Sequence, residues 1–506
     1  MNTFKKHPLL WILGCVFVIG TINVLTSRGL FFDEGVYFIV GKLFVFRGEN
    51  WNFENWLVGS PWSYPILVGL ILKFLSWLGF EGIQLTDLSI PVVREVNVLI
   101  FLGTIWLVYG ITKEISENRK IAVWGAGIFA FTGCCLFTAG FATYDIPSLL
   151  FTALSLYCIL SGTREEKDKY KNTFIALSGF LLAASFITKY ITVVFVPTML
   201  AIVVVRNWPR IKSTLSGLAI WLVFFIIPVG WYLSKVWEGV RLVFLYSGGH
   251  TARYGAAPES IILEILWFIG LPLFLGALAT LVVPDKKWFL SLVILVASLT
   301  TPVYHLVFRD PLALFKQMCW SVLLIAPIAA FFAEWLFNKN KRIFSLAVLA
   351  FVMIGGYQLW ILKQFYPDPN PAITYLRERL TPESDSILVD DSWPYRWGLN
   401  DTFDKKEWFV TDQWWWQNLL ADSKMWQDLI NKGTFSYIVY EKGGAFNGEF
   451  TVFDQDVVKA IEQSGRYEKV VEFDSFTSWG NAIMIPPFKG RLKAYNYVTT
   501  EIWERR

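Results

Sequence analysis

Residues 343–362 read IFSLAVLAFVMIGGYQLWIL, an apolar run without a charged residue. A helix needs about 20 such residues to cross the hydrocarbon core of a bilayer, so this run predicts a transmembrane helix. The composition changes soon afterwards, beyond Tyr366-Pro367-Asp368-Pro369-Asn370-Pro371, where charged residues are interspersed with apolar ones. We therefore expect a membrane part over residues 1–362 and a soluble domain over residues 363–506.

The residues before this run contain further long apolar runs. Of the 506 residues, 55% are hydrophobic and 17% are charged, and the mean hydropathy of +0.46 is too high for an ordinary soluble domain. The predicted fold is a polytopic α-helical membrane protein with about 11 transmembrane helices and a C-terminal soluble α/β domain. The other predicted spans are 8–26, 92–112, 121–141, 146–162, 173–188, 190–205, 214–233, 260–283, 288–307 and 317–337.

The apolar run 64–80 is ambiguous, because it is short, contains Lys73 and begins at the end of the proline-interrupted segment Ser60-Pro61-Trp62-Ser63-Tyr64-Pro65. Cytoplasmic loops are enriched in Lys and Arg, and the compact basic loops lie on the side of the N-terminus only if 64–80 does not span the membrane. We therefore expect a cytoplasmic N-terminus, an extracytoplasmic C-terminal domain and an external loop over 27–91 with helices in the membrane plane. The basic loops used are Lys113 to Lys120, Arg164 to Lys171, Arg206 to Lys212, Asp285 to Lys287 and Lys339 to Arg342.

A second external loop is predicted over residues 234–258. It is long and contains Gly248, Gly249 and Gly255, which is typical of a lid over a functional site. A flexible connector is the alternative interpretation.

The soluble tail alternates helical and strand patterns, which predicts a small three-layer α/β domain. Trp414-Trp415-Trp416, beside Trp408 and Phe409, are interpreted as a flap at the membrane interface or, alternatively, as a platform on which a sugar stacks. The predicted helices are 372–380, 425–431 and 457–464, and the predicted strands are 387–389, 437–440, 469–473 and 482–485.

Acidic residues occupy two of the predicted external loops. Asp33 and Glu34 follow the first span, and Asp145 lies in a very short turn between two apolar helices. Acids at membrane level are costly and usually mark function, although each could also cap a helix. We expect Asp33, Glu34 and Asp145 to be catalytic, and Asp33 and Asp145 are candidate ligands for a divalent metal ion, the one cofactor the sequence suggests.

Several basic residues lie at the predicted external ends of helices, although Lys and Arg are usually enriched on the cytoplasmic side. Any one of them can extend towards headgroups, but a set of them favours an anionic substrate such as a lipid phosphate. They are Arg94, Lys189, Arg253, Arg309 and Lys316, with His250 and His305 nearby.

Other classes of function leave no signature. The sequence has no Walker loop, no His-Glu-x-x-His motif and no Gly-x-Ser-x-Gly motif. The charged residues behind the net charge of +4 lie mostly in loops between apolar runs, so we expect no nucleic-acid partner. A disulfide framework is not expected either, because the cysteines all lie in apolar stretches: Cys15, Cys134, Cys135, Cys158 and Cys319.

In the order of its motifs the chain resembles the GT-C superfamily of lipid-carrier-dependent glycosyltransferases, above all the protein O-mannosyltransferases and the lipid A aminoarabinose transferases. Asp33-Glu34 stands where the family has its first acidic motif, and Pro61 and Pro65 stand where it has a proline pair before an in-plane helix. Arg94 precedes the next span, and Asp145 lies between the third and fourth spans, as the family's second acid does.

Two later motifs extend the resemblance. Lys189-Tyr190 follows a helix containing Gly179, and His250 to Tyr254 is similar to the family's His-x-x-Arg-aromatic loop. The basic residue or His that relatives carry beside the proline pair is missing from Ser60-Pro61-Trp62-Ser63-Tyr64-Pro65, which leaves the donor sugar open.

The resemblance implies a membrane glycosyltransferase that moves a sugar from a polyprenyl-phosphate donor to an acceptor hydroxyl on the extracytoplasmic face of the plasma membrane. It implies that Asp33 is the base, and that the lipid phosphate is bound by residues among Lys189, Arg253, His250, Arg94 and Lys316. The acceptor, a lipid, glycan or protein, is left open. The alternatives are a transporter or flippase for a lipid-linked anion, or a polymerase or ligase of surface glycans.

Overall fold

The computed structural model shows a mainly helical chain with one small mixed sheet near its C-terminus. Inside some elements only the backbone is described, which includes helical residues 242–254. The structure describes the chain except residues 1–6, 28, 31, 48–60, 62, 164–169, 209, 255–256, 310–312, 364–367, 382–384, 390–391, 400–409, 412–422, 443–454 and 475–498.

The chain forms two compact units that each combine distant segments. The first consists of Met1–Leu25, Glu49–Ile66 and Arg94–Leu359. The second consists of Thr26–Gly48, Leu67–Val93 and Trp360–Arg506. The second unit therefore includes much of the predicted loop 27–91 besides the C-terminal part, and the domain boundary at residue 362 stays a prediction.

Membrane-spanning helices account for most of the described chain, which confirms the predicted fold class. Ten described helices are long and apolar enough to cross a bilayer, and the bent pair Arg119–Ala130 and Gly133–Ala139 makes an eleventh span if it is counted as one. Ser63–Trp77 has 15 residues and is shorter than these, in agreement with its non-spanning interpretation. The ten are Pro8–Leu25, Gly82–Ser116, Asp145–Gly162, Lys171–Thr188, Tyr190–Asn207, Ile211–Arg241, Pro258–Ala279, Asp285–Phe308, Leu314–Lys339 and Lys341–Lys363.

The 67° bend between Arg119–Ala130 and Gly133–Ala139 occurs at a close helix contact. A Cβ on Gly355 would lie only 2.0 Å from the Phe131 carbonyl oxygen, so a glycine is required there. The Gly133 N–H, which the bend frees, donates to the Gln358 side-chain oxygen at 3.2 Å. The break thus keeps its backbone donor hydrogen-bonded, as an apolar environment demands.

Helices Asp145–Gly162 and Lys171–Thr188 pack through small hydroxyl residues. The Ser148 and Ser185 hydroxyls lie 2.9 Å apart, and the Ser155 and Ser178 hydroxyls 3.0 Å apart. Small side chains allow close approach of helices in a membrane, and their hydroxyls bond across the contact. This packing sets the positions of the helix ends that carry Asp145 and Lys189.

The predicted external loop over residues 234–258 is largely wrong as a loop. Helix Ile211–Tyr254 has 44 residues and continues through most of it. Residues 235–245 are rich in Val, Leu and aromatic side chains, and three glycines, Gly239, Gly248 and Gly249, at about 1 kcal/mol each do not outweigh a continuous hydrogen-bond ladder. The lid function of this segment stays a prediction.

In the second unit, helix Phe32–Lys42 packs on helix Ser392–Gly398, which the sequence did not predict. The rings of Phe38 and Trp397 lie 4.9 Å apart, and a Cβ on Gly35 would lie 2.7 Å from the Trp393 carbonyl carbon. The acidic motif at the start of Phe32–Lys42 is therefore held by residues more than 350 positions away in sequence.

The sheet of the second unit contains β1 (Ile387–Val389), β2 (Val410–Thr411), β3 (Tyr437–Lys442), β4 (Tyr467–Asp474) and β5 (Thr499–Arg505). Its order is β2-β1-β3-β5-β4. β1 is parallel to both neighbours, whereas β5 is antiparallel to β3 and β4.

Helices cover both faces of this sheet, as a three-layer domain requires. Ile387 and Val389 of β1 pack in the core with helix Asn370–Arg377, whereas Leu388 points to the core formed with Trp426 and Ile461. The alternation follows from the two-residue period of a strand. The other covering helices are Ser392–Gly398, Ser423–Asn431 and Gln455–Gln463.

The predicted strands 387–389, 437–440 and 469–473 are confirmed within the bounds of β1, β3 and β4. β5 was missed, because its sequence Thr-Thr-Glu-Ile-Trp-Glu-Arg is largely polar. Predicted strand 482–485 and the residues Trp408, Phe409 and Trp414 to Trp416 lie outside the described residues.

Gly69→Ala is expected to lower thermal stability, because a Cβ there would lie 2.3 Å from the Gly41 carbonyl oxygen and 2.5 Å from Val45 Cγ2. Overpacking of this kind costs about 1–3 kcal/mol. Gly356→Ala is the matched control, since a Cβ at this helical glycine meets nothing within 4 Å. The melting temperatures of both variants in detergent test this, and equal melting temperatures would contradict the close contact.

Candidate active site

Asp145 begins helix Asp145–Gly162 and is buried. The turn before it is held by Asn97, whose side-chain amide donates to the Thr143 carbonyl at 3.0 Å and also to that of Phe141. Asn97 belongs to helix Gly82–Ser116, and Arg94, one turn earlier, places its guanidinium carbon 5.7 Å from the centre of the Phe141 ring. The acid thus sits on a turn fixed by a neighbouring helix.

Lys189 lies at a break between two helical segments. Helix Lys171–Thr188 ends directly before it, Lys189 itself is extended (φ −157°, ψ 117°), and a 3₁₀ helix Tyr190–Phe195 follows. Pro197 lacks an N–H to donate to the Val193 carbonyl, and the β-branched residues Ile191 to Val194 favour the helix weakly. These features weaken the α-helix in the segment after Lys189, and the next α-helix, Val196–Asn207, begins with this proline in its first turn.

The groups around the break satisfy its backbone. The Thr192 hydroxyl donates to the Lys189 carbonyl at 2.9 Å, and the Lys189 N–H donates to the Ser185 carbonyl at 2.7 Å. The Ser63 hydroxyl, at the start of helix Ser63–Trp77, donates to the Thr188 hydroxyl at 3.0 Å. Helix Ser63–Trp77, which begins in the proline-containing segment, therefore starts beside the break after Thr188.

The Lys189 ammonium donates to the Asp145 carboxylate, and the two side chains are 9% and 3% exposed. The Lys189 nitrogen also lies 4.9 Å from the centre of the Tyr144 ring and 5.3 Å from that of Trp320. Aromatic faces attract cations more strongly when water is excluded. One carboxylate and two aromatic rings therefore orient this ammonium group.

Hydroxyl groups fix Trp320 in turn. Its indole N–H donates to the Thr152 hydroxyl at 3.2 Å, and that hydroxyl lies 2.8 Å from the hydroxyl of Ser185. Thr152 and Ser185 belong to the helices that carry Asp145 and Lys189. Thr152 and Ser185 therefore fix the position of the Trp320 ring and also belong to the helices that carry the ion pair.

Lys316 is the second buried lysine of this region. It lies in the first turn of helix Leu314–Lys339, four residues before Trp320 and therefore on the same helix face. Its ammonium acts electrostatically on the Asp145 carboxylate. We call the three buried charges Asp145, Lys189 and Lys316, of which Asp145 and Lys189 are in direct contact, the lysine–aspartate cluster.

Asp33 and Glu34 lie in the first turn of helix Phe32–Lys42, in the second unit. Asp33 is half-buried and Glu34 is fully buried. A carboxylate in a first helical turn interacts favourably with the helix dipole, so the capping alternative applies to both. Their catalytic roles, and the metal-binding role of Asp33 and Asp145, stay predictions.

The other predicted basic residues fall in different places. Arg309 is exposed and has a positive φ of 49° after helix Thr300–Phe308. His305 is buried, with its Nε2 3.0 Å from the Gln317 side-chain oxygen. The side chains of His250 and Arg253 lie outside the described residues.

Sequence reasoning missed Asn97, Tyr144 and Trp320. Trp320 could have been found from its spacing to Lys316, which places both on one helix face. Tyr144 precedes Asp145 directly, but nothing in the sequence indicates that its ring faces a lysine from another helix.

Known proteins resemble this chain in sequence and in fold. Residues 70–232 match the family model described as dolichyl-phosphate-mannose-protein mannosyltransferase. The chain is also 25% identical over 282 residues to the undecaprenyl phosphate-alpha-4-amino-4-deoxy-L-arabinose arabinosyl transferase 1 of Proteus mirabilis. That match covers 55% of this chain and 50% of the relative, so the chain spans about half the length of the curated relative it matches.

Two solved structures share the fold. ArnT from Cupriavidus metallidurans, bound to undecaprenyl phosphate, matches with a TM-score of 0.59 at 12% identity, over 85% of this chain and 92% of that one. The oligosaccharyltransferase AglB from Archaeoglobus fulgidus, in complex with an inhibitory peptide and a dolichol-phosphate, matches with a TM-score of 0.54 at 12% identity, over 96% of this chain and 75% of that one.

This chain has the fold of the GT-C glycosyltransferases. The resemblance expected from the order of its motifs is thereby confirmed.

Asp145→Asn and Lys189→Met are each expected to lower the free energy of unfolding by about 3–5 kcal/mol, because each leaves an uncompensated charge or polar partner in a buried place. The double variant should be destabilised by less than the sum of the two. Thermal melting in detergent gives the three values.

The surface pair Arg377–Asp87 is the control for this cycle. Its Asp87 side chain is 58% exposed, so Asp87→Asn should change stability by at most about 1 kcal/mol. Additive effects of Asp145→Asn and Lys189→Met would show that the buried pair is not coupled.

Proposed function

We propose that this protein is a membrane glycosyltransferase that moves a sugar from a polyprenyl-phosphate donor to an acceptor hydroxyl. The observation that carries the proposal is the lysine–aspartate cluster, two buried ammonium groups at the ends of membrane helices. Buried charges in spanning segments usually mark a binding or transport path. The fold and the weak sequence match support a lipid-phosphate ligand for it.

The donor phosphate is bound by Lys189 and Lys316 in this proposal. Charge-assisted hydrogen bonds from ammonium groups hold phosphate oxygens more strongly than neutral donors do. Asp145 orients the Lys189 ammonium, and Tyr144 and Trp320 restrict its movement. Arg94, His250 and Arg253 are assigned to the same phosphate from the resemblance alone.

In the proposed reaction, Asp33 accepts the proton of the acceptor hydroxyl. The acceptor oxygen forms a bond to the anomeric carbon while the bond from that carbon to the phosphate oxygen breaks. The polyprenyl phosphate leaves with the electron pair, and the ammonium groups offset the charge that develops on it. Glu34 orients the acceptor, and a divalent metal ion on Asp33 or Asp145 remains part of the hypothesis.

The proposed setting is the plasma membrane, with the N-terminus in the cytoplasm and reaction on the extracytoplasmic face. The charge bias of the basic loops supports this orientation. Residues 363–506 would form the extracytoplasmic domain, and the acceptor is a lipid, glycan or protein.

Purified protein in liposomes with a radiolabelled polyprenyl-phosphate sugar and candidate acceptors tests the reaction. A transferase releases the sugar from its carrier without an ion gradient. Label that crosses the bilayer while still attached to its carrier would instead show a flippase.

Asp33→Asn is expected to reduce the transfer rate by about 10²- to 10⁴-fold, the usual contribution of a general base. Asp87→Asn, a change of the same chemistry at a surface ion pair, should keep the wild-type rate. A wild-type rate in Asp33→Asn would remove the base from the mechanism and leave the phosphate site unaffected.

Lys316→Met is expected to raise the KM for the lipid-phosphate donor, because one of the two buried ammonium groups is lost. Lys212→Met replaces an exposed lysine and should leave this KM unchanged. Steady-state kinetics over a range of donor concentrations distinguishes the two. A KM in Lys316→Met equal to that of the wild type would place the phosphate elsewhere.

A further inference from the structure

Three cysteines form a second cluster that the proposed reaction does not use. The sulfur atoms of Cys134, Cys135 and Cys319 lie within 4.8 Å of one another. All three residues are buried, with at most 1% of their surface exposed. We call them the thiol cluster.

The fold brings the three thiols together at the bend after helix Arg119–Ala130. Cys134 and Cys135 lie in Gly133–Ala139, the short helix that follows the bend, and Cys319 lies in helix Leu314–Lys339. The rings of Phe137 and Phe315 pack 5.4 Å apart between the same two helices. Adjacent cysteines on one helix thus face a single cysteine on another.

Oxygen atoms of three residues surround the Cys319 sulfur. Its sulfur lies 3.6 Å from the Cys134 carbonyl oxygen, 3.6 Å from the Thr138 hydroxyl and 4.0 Å from the Phe315 carbonyl oxygen. Thr138 donates its own hydrogen to the Cys134 carbonyl at 2.8 Å. The three contacts of sulfur with oxygen involve only the Cys319 sulfur, and thiol hydrogen bonds are weak.

We propose that the thiol cluster binds one soft, thiophilic metal ion through three thiolates, with Cu(I) as the ion that fits best. Metal–sulfur bonds of about 2.3 Å in a trigonal plane put the sulfur atoms about 4 Å apart, which lies within the observed spacing. Thiolate ligands select Cu(I), whereas structural zinc sites use four ligands. In the part of the chain that the structure describes, the group consists of these cysteines, without a His, Asp or Glu.

Binding exchanges protons for metal bonds and changes no oxidation state. Three S–H protons leave, three sulfur–metal bonds form, and the ion remains Cu(I), so the site takes a net charge of −2 that the Lys316 ammonium on the same helix offsets in part. Thiolates are costly in a buried apolar place unless a cation compensates them, so metal binding and deprotonation are coupled. Lys316, three residues before Cys319 on the same helix, adds a positive charge on that side.

The full-length protein, reduced and kept anaerobic in detergent, is titrated with Cu(I) against a chromogenic Cu(I) chelator. We expect one equivalent to bind, and X-ray absorption should show sulfur neighbours at about 2.3 Å. Cys319→Ser should weaken binding by at least about 100-fold, a larger loss than the 10- to 100-fold of an outer-shell change. Cys134→Ser is the second variant, and the melting temperature of each without metal shows whether it is folded.

Cys158→Ser and Cys15→Ser are the matched controls, because these cysteines are not in the thiol cluster. Both should keep the wild-type stoichiometry and affinity. Equal Cu(I) affinity in wild type and folded Cys319→Ser would overturn the proposal. Zn(II) binding as tight as Cu(I) binding would overturn the choice of a soft ion.

This site does not depend on the proposed glycosyl transfer. A chain that binds Cu(I) through the thiol cluster but transfers no sugar would leave the inference intact, and the reverse result would leave the transferase intact.

Discussion

Within the hydrocarbon of a membrane, every backbone N–H and carbonyl needs a partner inside the protein, and this constraint governs where the helices of this chain can stop. At the bend after Phe131, the Gln358 side chain bonds the Gly133 N–H. At the break after Thr188, the Thr192 hydroxyl bonds the Lys189 carbonyl. Because these side chains bond the freed backbone groups, the helices can bend or break at these two places.

Each of the two interruptions lies beside a group of side chains to which we assign a binding role. The break extends Lys189 towards Asp145, and the bend directs Cys134 and Cys135 towards Cys319. Helix Leu314–Lys339 links the two places, since Lys316, Cys319 and Trp320 all lie in its first two turns. A buried ion pair is weak evidence for stability, because desolvation offsets much of its attraction. Its presence here favours a binding role, which is the role we propose for it.

Length and charge made much of the membrane part predictable. Each predicted span overlaps an observed helix, because crossing a bilayer requires a long apolar run that is visible without any tertiary information. Asp145, Lys189 and Lys316 could be singled out because they are charges between such runs. The prediction of a loop was wrong for residues 234–254, because glycine and loop length are local signals that a strong neighbouring helix overrides.

The sequence by itself determined the approximate number of spans, the short helix near residue 64, and the strands β1, β3 and β4, and it located Asp145, Lys189 and Lys316 as charges beside apolar runs. Only the tertiary structure decided which side chains meet. Glu501 is buried in β5, where it accepts hydrogen bonds from the Lys469 ammonium and the Trp503 indole N–H. Trp320, in helix Leu314–Lys339, faces Lys189 at the end of helix Lys171–Thr188. Hydropathy and spacing describe a residue within its own segment, whereas these contacts depend on the packing of segments far apart in the chain.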